Sequence, residues 1–202
     1  MTTRKLSNHN PKLIINLIPI FNDAFASKTR EQRSAMRQQL SNSEFKAEYG
    51  RAYVDKIIER TEDRNVDKDG RRFKRYSKGY KDSLTFRIYG KSSSVNLHLT
   101  GAMLSSMNSK NKSGTAIMIE FSGGEGPKAH GHITGGGRNH SLPVRDFFGL
   151  PRGVERQLMK ELMRFTRRSE IIFDVPTFDQ TITEPGTELE VDVDFLTAGG
   201  VI

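Results

Sequence analysis

Residues 95–107 read Val-Asn-Leu-His-Leu-Thr-Gly-Ala-Met-Leu-Ser-Ser-Met. Apolar side chains alternate at Val95, Leu97 and Leu99, the period of a half-buried strand, and then recur at helical spacing at Met103, Leu104 and Met107. This spacing predicts a strand that passes into a helix, with Thr100 as N-cap and Gly101 giving the backbone freedom to turn. It is the expected centre of an α+β domain. No nucleophile, metal cluster or phosphate loop is attached to it.

On the C-terminal side, residues 115–121 read as a second strand, with Ile117, Ile119 and Phe121 on one face and Ala116, Met118 and Glu120 on the other. Residues 122–141 hold seven glycines in twenty and predict a long adaptable loop closed by Leu142 and Pro143. From Gly153, Val154, Leu158, Leu162 and Phe165 share a helix face, with Glu155 in the first turn and Arg164, Arg167 and Arg168 towards the negative end of the dipole. Ile171, Phe173 and Val175 alternate as a short strand stopped by Pro176.

On the N-terminal side, residues 1–11 predict a flexible polar arm ended by Pro11. Ile14, Leu17, Ile18, Phe21 and Phe25 trace a helix face that either begins near Pro19 or kinks there. A polar helix with little to bury is expected over 27–39. Ser41 and Glu44 then suit a capping box for an amphipathic helix carrying Phe45, Tyr49, Tyr53, Ile57 and Ile58, which should stop before Asp69-Gly70. The expected fold is thus α+β: N-terminal helices and a small antiparallel sheet packed by a central and a C-terminal helix, with a long glycine-rich loop. One domain spans 12–175, flanked by the arm at 1–11 and an extended acidic arm at 176–202.

The charge is segregated along the chain. All 32 Lys and Arg lie at or before Arg168, whereas Glu170, Asp174, Asp179, Glu184, Glu188, Glu190, Asp192 and Asp194 follow it, so a net +8 conceals a basic body and an acidic end. The body could meet nucleic acid or an acidic protein surface, the end could fold onto its own or a neighbouring body, or both could be solvated faces. Within 188–195 Leu189, Val191, Val193 and Phe195 alternate with acids, which suits an added strand acting as an inter-subunit arm. No apolar run is long enough to cross a membrane and no signal core opens the chain, so a cytoplasm-like compartment is expected. With no cysteine, disulfides and thiolate metal sites are excluded.

Three constellations bear on chemistry. Asn65, Asp67, Asp69 and Gly70 match the first half of a calcium loop, but Tyr76 stands where the bidentate carboxylate belongs, so a polar turn is expected. His130, His132 and His140 lie in the glycine-rich stretch with Lys128, Arg138 and Arg145; lacking a spaced acid or cysteine, they suit an assembly or partner loop better than a zinc site. Arg71, Arg72, Lys74, Arg75, Lys78 and Lys81 crowd around Phe73, Tyr76 and Tyr80. The cations suit nucleic acid or an acidic partner, while the three-and-four spacing of the rings suits packing on a core. Neither catalysis nor a cofactor is expected.

Three segments in order carry a resemblance. Arg60-Thr61 followed by Asp67, Asp69-Gly70, Phe73, Tyr76-Ser77 and Tyr80, then Leu99-Thr100-Gly101-Ala102-Met103-Leu104, then His130-Gly131-His132 before Pro143-Val144-Arg145-Asp146-Phe147-Phe148-Gly149-Leu150, resemble tailed-bacteriophage virion morphogenesis proteins. The resemblance covers residues 51–168. It implies a structural subunit of the virion that acts in head-tail joining or tail completion, forms a ring with itself, meets other neck or tail proteins and lets genomic DNA pass, and is assembled in the host cytoplasm. In that setting Pro143, Arg145, Phe147 and Phe148 would re-enter the core and anchor the loop. The alternative is a basic DNA-binding accessory protein using the 71–81 cluster.

Overall fold

The computed structural model describes residues 3–5, 10–91, 94–95, 97, 101–136 and 143–173. It is α+β, built on four antiparallel strands: β1 (Thr3–Lys5), β2 (Lys12–Asn16), β3 (Met107–Asn111) and β4 (Ala116–Phe121), in the order β1-β2-β4-β3. Along β2, Leu13 and Ile15 alternate inward, and along β4 Ile117, Ile119 and Phe121 join them in the core. On the opposite face Glu120 sits between Lys12 of β2 and Lys110 of β3, whose hydrogen bond lowers the pKa of its carboxyl.

Eight α-helices complete the described chain: α1 (Leu17–Ala24), α2 (Arg30–Arg37), α3 (Ser43–Glu62), α4 (Lys78–Lys81), α5 (Leu84–Ile88), α6 (Ala102–Ser105), α7 (Gly126–Thr134) and α8 (Arg152–Phe173). The long helix against the sheet is α3. It buries Phe45, Tyr49, Tyr53 and Ile57 along one stripe. At Gly50 it comes so close to β3 that an added Cβ would lie 2.6 Å from the Ser109 Cβ. Its first turns are tied to the β3–β4 connection by Lys46 Nζ, which donates to the carbonyls of Lys112 at 2.9 Å and Gly114 at 3.0 Å. Helix α8 lies on α1 and α3 and seals the other side of the core with Leu158, Met159 and Met163.

Several expectations are corrected. Residues 3–5, assigned to a flexible arm, pair with β2. Ile14 belongs to that strand and not to a helix; α1 starts at Leu17, capped by Asn16, and Pro19 falls in its first turn, where a missing N–H costs nothing. Helix α3 is capped by Asn42, whose Oδ1 accepts from the N–H groups of Glu44 and Phe45, rather than by Ser41. It ends at Glu62, so Val66 and Arg72 can bridge across the Asp69-Gly70 turn.

The 95–107 stretch keeps a helix, α6, but its described residues 95 and 97 are in no strand. Val95 and Leu97 are buried outside any strand, Leu97 has φ +55°, and α6 is a single turn entered through Gly101 at φ +78°, with no side-chain cap. Met107 opens β3. Thr100 lies outside the described residues. The long helix on the sheet is α3, and α6 is a short turn of helix. The predicted glycine-rich loop contains α7, which Pro127 starts and Gly135, at φ +78°, stops. Ile171 and Phe173 belong to the helical backbone of α8, not to a strand. The arm at 176–202 lies outside the described residues.

Candidate functional site

The 143–150 segment has no regular structure, yet Phe147 and Phe148 are almost wholly buried. Their rings meet Phe121 at the end of β4, with centroids 6.1 and 5.1 Å away. Buried irregular backbone needs donors for its carbonyls. Arg60, 93% buried near the end of α3, supplies them: its two terminal nitrogens donate to the carbonyls of Phe147 and Gly149, each at 2.6 Å. Burial lowers the pKa of this guanidinium, and the nearby Tyr53, Asp67, Asp146 and Asp69 oppose that shift. Lys68 adds a backbone hydrogen bond to the Asp146 carbonyl at 2.8 Å and places its Nζ 3.5 Å from the Asp146 carboxylate. Beside this clamp, the Tyr53 hydroxyl donates to Glu155 Oε1 at 2.9 Å and accepts from the Leu150 N–H at 3.0 Å. Burial raises the pKa of the Glu155 carboxyl.

Arg145 continues the clamp outward. Its N–H donates to the His132 carbonyl at 2.7 Å and a terminal nitrogen to the Lys74 carbonyl at 3.3 Å, while its guanidinium lies 5.4 Å from the centroid of the Tyr76 ring. A carbonyl and an aromatic face thus meet this cation. Burial lowers the pKa of Arg145, against Tyr76 and Tyr80. Burial and the adjacent Arg145 together push His132 down to about 4, so the imidazole is neutral at physiological pH.

The other expected site residues divide. His130 and His132 lie on α7, each with Nδ1 buried and lacking a hydrogen-bond partner, and Lys128 on the same helix pairs with Glu125 at 2.8 Å. These residues belong to a packed helix, not to an adaptable loop. Among the described residues no three His, Asp or Glu side chains are grouped to hold a metal ion. Arg138, His140, Leu189, Val191, Val193 and Phe195 lie outside the described residues. At the calcium-like turn, Asp67 Oδ1 accepts from the N–H groups of Asp69 at 2.9 Å and Arg71 at 2.8 Å, so it holds its own loop closed.

Arg71, Arg72, Lys74, Arg75 and Lys78 are exposed and Lys81 is half-buried. Their interleaved rings face inward: Phe73 is buried, and Tyr76, Tyr80 and Phe86 pack on one another with centroids 5.0 to 5.8 Å apart. This is the packing reading of the three-and-four spacing. Sequence reasoning missed the role of Arg60, the Tyr53–Glu155 pair and α7. Only the last had a local signal, Pro127 after Gly126 with Gly135 eight residues on.

The fold and site define an α+β protein whose buried polar groups hold an irregular segment against the core. Comparison with protein-family models, curated proteins and solved structures finds no match.

Proposed function

We propose that this protein is a structural subunit of a tailed-phage virion, forming a ring by protein–protein contacts at the head-tail junction. The supporting observation is the clamp between Arg60 and the carbonyls of Phe147 and Gly149, 87 and 89 residues away. It joins two of the segments on which the resemblance rests. Arg145 and Tyr76 join the same two segments a second time. These residues bond to backbone carbonyls and rings, which rigidifies a scaffold, the property an assembly subunit needs. Electron microscopy of the purified protein with its cognate portal and tail proteins tests the reading. Rings or necks containing the chain support it; dispersed monomers under all partner conditions overturn it. A gene location among portal, capsid and tail genes is the independent check.

A second reading, a DNA-binding accessory protein, draws on the exposure of the 71–78 cations. With the rings packed on one another, contact would be to phosphates and not to bases, so binding would be sequence-independent and weakened by salt. Arg71→Ala with Arg75→Ala should then reduce the salt slope; no binding at low salt removes this reading.

A further inference from the structure

Helix α5 carries two large apolar side chains that are left exposed among the described residues. Leu84 is 70% exposed and Ile88 69%, one turn apart on the same helix face, and Tyr89 beside them is 50% exposed. The remaining ring of that helix, Phe86, is engaged by Tyr76 and Tyr80, so α4 and α5 form a small lobe with one packed side and one side exposed among the described residues. The lobe is strongly basic. Between residues 71 and 91 eight Lys and Arg stand against one acid, Asp82. An apolar strip fringed by cations asks for an occupant that is apolar on one face and acidic on the other.

The chain contains such a segment. In Glu188-Leu189-Glu190-Val191-Asp192-Val193-Asp194-Phe195 every second residue is apolar and every other is acidic. In an extended segment, apolar side chains on one face recur every ~6.6 Å. On a helix, residues four apart are separated by ~6 Å along the axis. Val191 and Val193 therefore match Leu84 and Ile88 in spacing, and long, flexible cationic side chains at the rim can close over the acidic row.

A second copy is the occupant that suits a ring, in which one surface of a subunit meets a different surface of the next. The first turn of α8 adjoins Leu150 and Glu155 near the Arg60 clamp, and Arg145 and Tyr76 join the α4–α5 lobe to that same end. By Lys160 and Met163 it has reached Ala24, Phe25 and Met36. Twenty-two residues at helical rise span about 33 Å from the first turn of α8 to Phe173. A basic strip and an acidic segment carried by the same chain are two different, complementary surfaces, as a heterologous, head-to-tail contact requires. We propose that the α4–α5 strip of one copy receives residues 188–195 of a second copy. This deepens the assembly reading given above and rests on it.

Because the chain has no cysteine, cross-linking is a clean test. Full-length protein carrying Ile88→Cys alone is mixed with full-length protein carrying Val191→Cys alone and oxidised mildly. The mixed disulfide should exceed that from the same mixture with Val144→Cys, another exposed apolar site, by about tenfold. Adding Glu190→Lys and Asp192→Lys to the second protein should abolish the excess, and Lys78→Glu with Lys81→Glu in the first should restore it. A yield no higher than the Val144 control overturns the proposal. So does a chain carrying both cysteines that closes only its own intramolecular disulfide. Rings seen by electron microscopy without the cross-link would leave the assembly reading standing and this contact refuted. The cross-link in a protein that never joins heads to tails would separate them the other way.

Discussion

Arg60 shows why a buried cation can be indispensable without being catalytic. Its two hydrogen bonds answer carbonyls that no strand or helix would otherwise satisfy, and removing a charged partner from buried acceptors leaves them desolvated. Arg60→Met, which keeps the apolar stem, is expected to cost about 3 kcal/mol in denaturant unfolding. It should also increase proteolysis within 143–150. At the same scale, two titrating groups have opposite signs. With its folded pKa at about 4, below the ordinary 6.5 of histidine, His132 lowers stability as pH falls from 6.5 through 4. His132→Phe should remove a loss on the order of 3 kcal/mol across that window. Glu155, raised by burial, favours the fold in its protonated form, so its contribution is present below the ordinary carboxylate range and is lost as pH rises through the elevated pKa. Glu155→Gln should flatten that part of the curve, as thermal unfolding at a series of pH values would show.

Among the elements, α3 is decisive, and its closest approach to the sheet is at Gly50. Alanine there gains up to about 1 kcal/mol of helix propensity. Yet its Cβ would sit 2.5 Å from Ser109 Oγ and 2.6 Å from Ser109 Cβ, which forces α3 and β3 apart. The net expectation for Gly50→Ala is a loss of about 2 kcal/mol, because overpacking outweighs propensity. Ser109→Gly in the same chain should recover part of it, a coupling that a double-mutant cycle measures. The stripe from Phe45 to Ile57 was legible in the sequence because four turns repeat one period. The extent of α6 was not, since one turn has too few residues to establish a period, Met107 belongs to β3, and the buried Val95 and Leu97 mimic strand alternation. In β2, Leu13 and Ile15 fit period two while Ile14, Leu17 and Ile18 fit a helix, and only pairing with β4 separates the two.

At the scale of the molecule, opposite charge at the two ends of the sequence makes self-association sensitive to ionic strength. Full-length protein in which Glu188, Glu190, Asp192 and Asp194 become the corresponding amides should sediment as a smaller species at low salt than the unaltered chain. The unaltered chain should approach that behaviour as salt rises. Equal sedimentation of the two at low salt would exclude the acidic segment as an assembly element. Among the described residues, no helix is long and apolar enough to cross a membrane.

Taken alone, the sequence determined the α+β class, the α3 stripe, the starts of β4 and α8 to within a residue, and the segregation of charge. Each of these is a local period or a count that needs no knowledge of neighbours. The tertiary structure decided that residues 3–5 extend the sheet, that 126–134 form a helix packed through Ala129 and Ile133, and that Arg60 grips the carbonyls of Phe147 and Gly149. The reason is physical: strand pairing and the satisfaction of buried carbonyls depend on groups brought together from some ten to ninety residues away, and no local spacing encodes that distance.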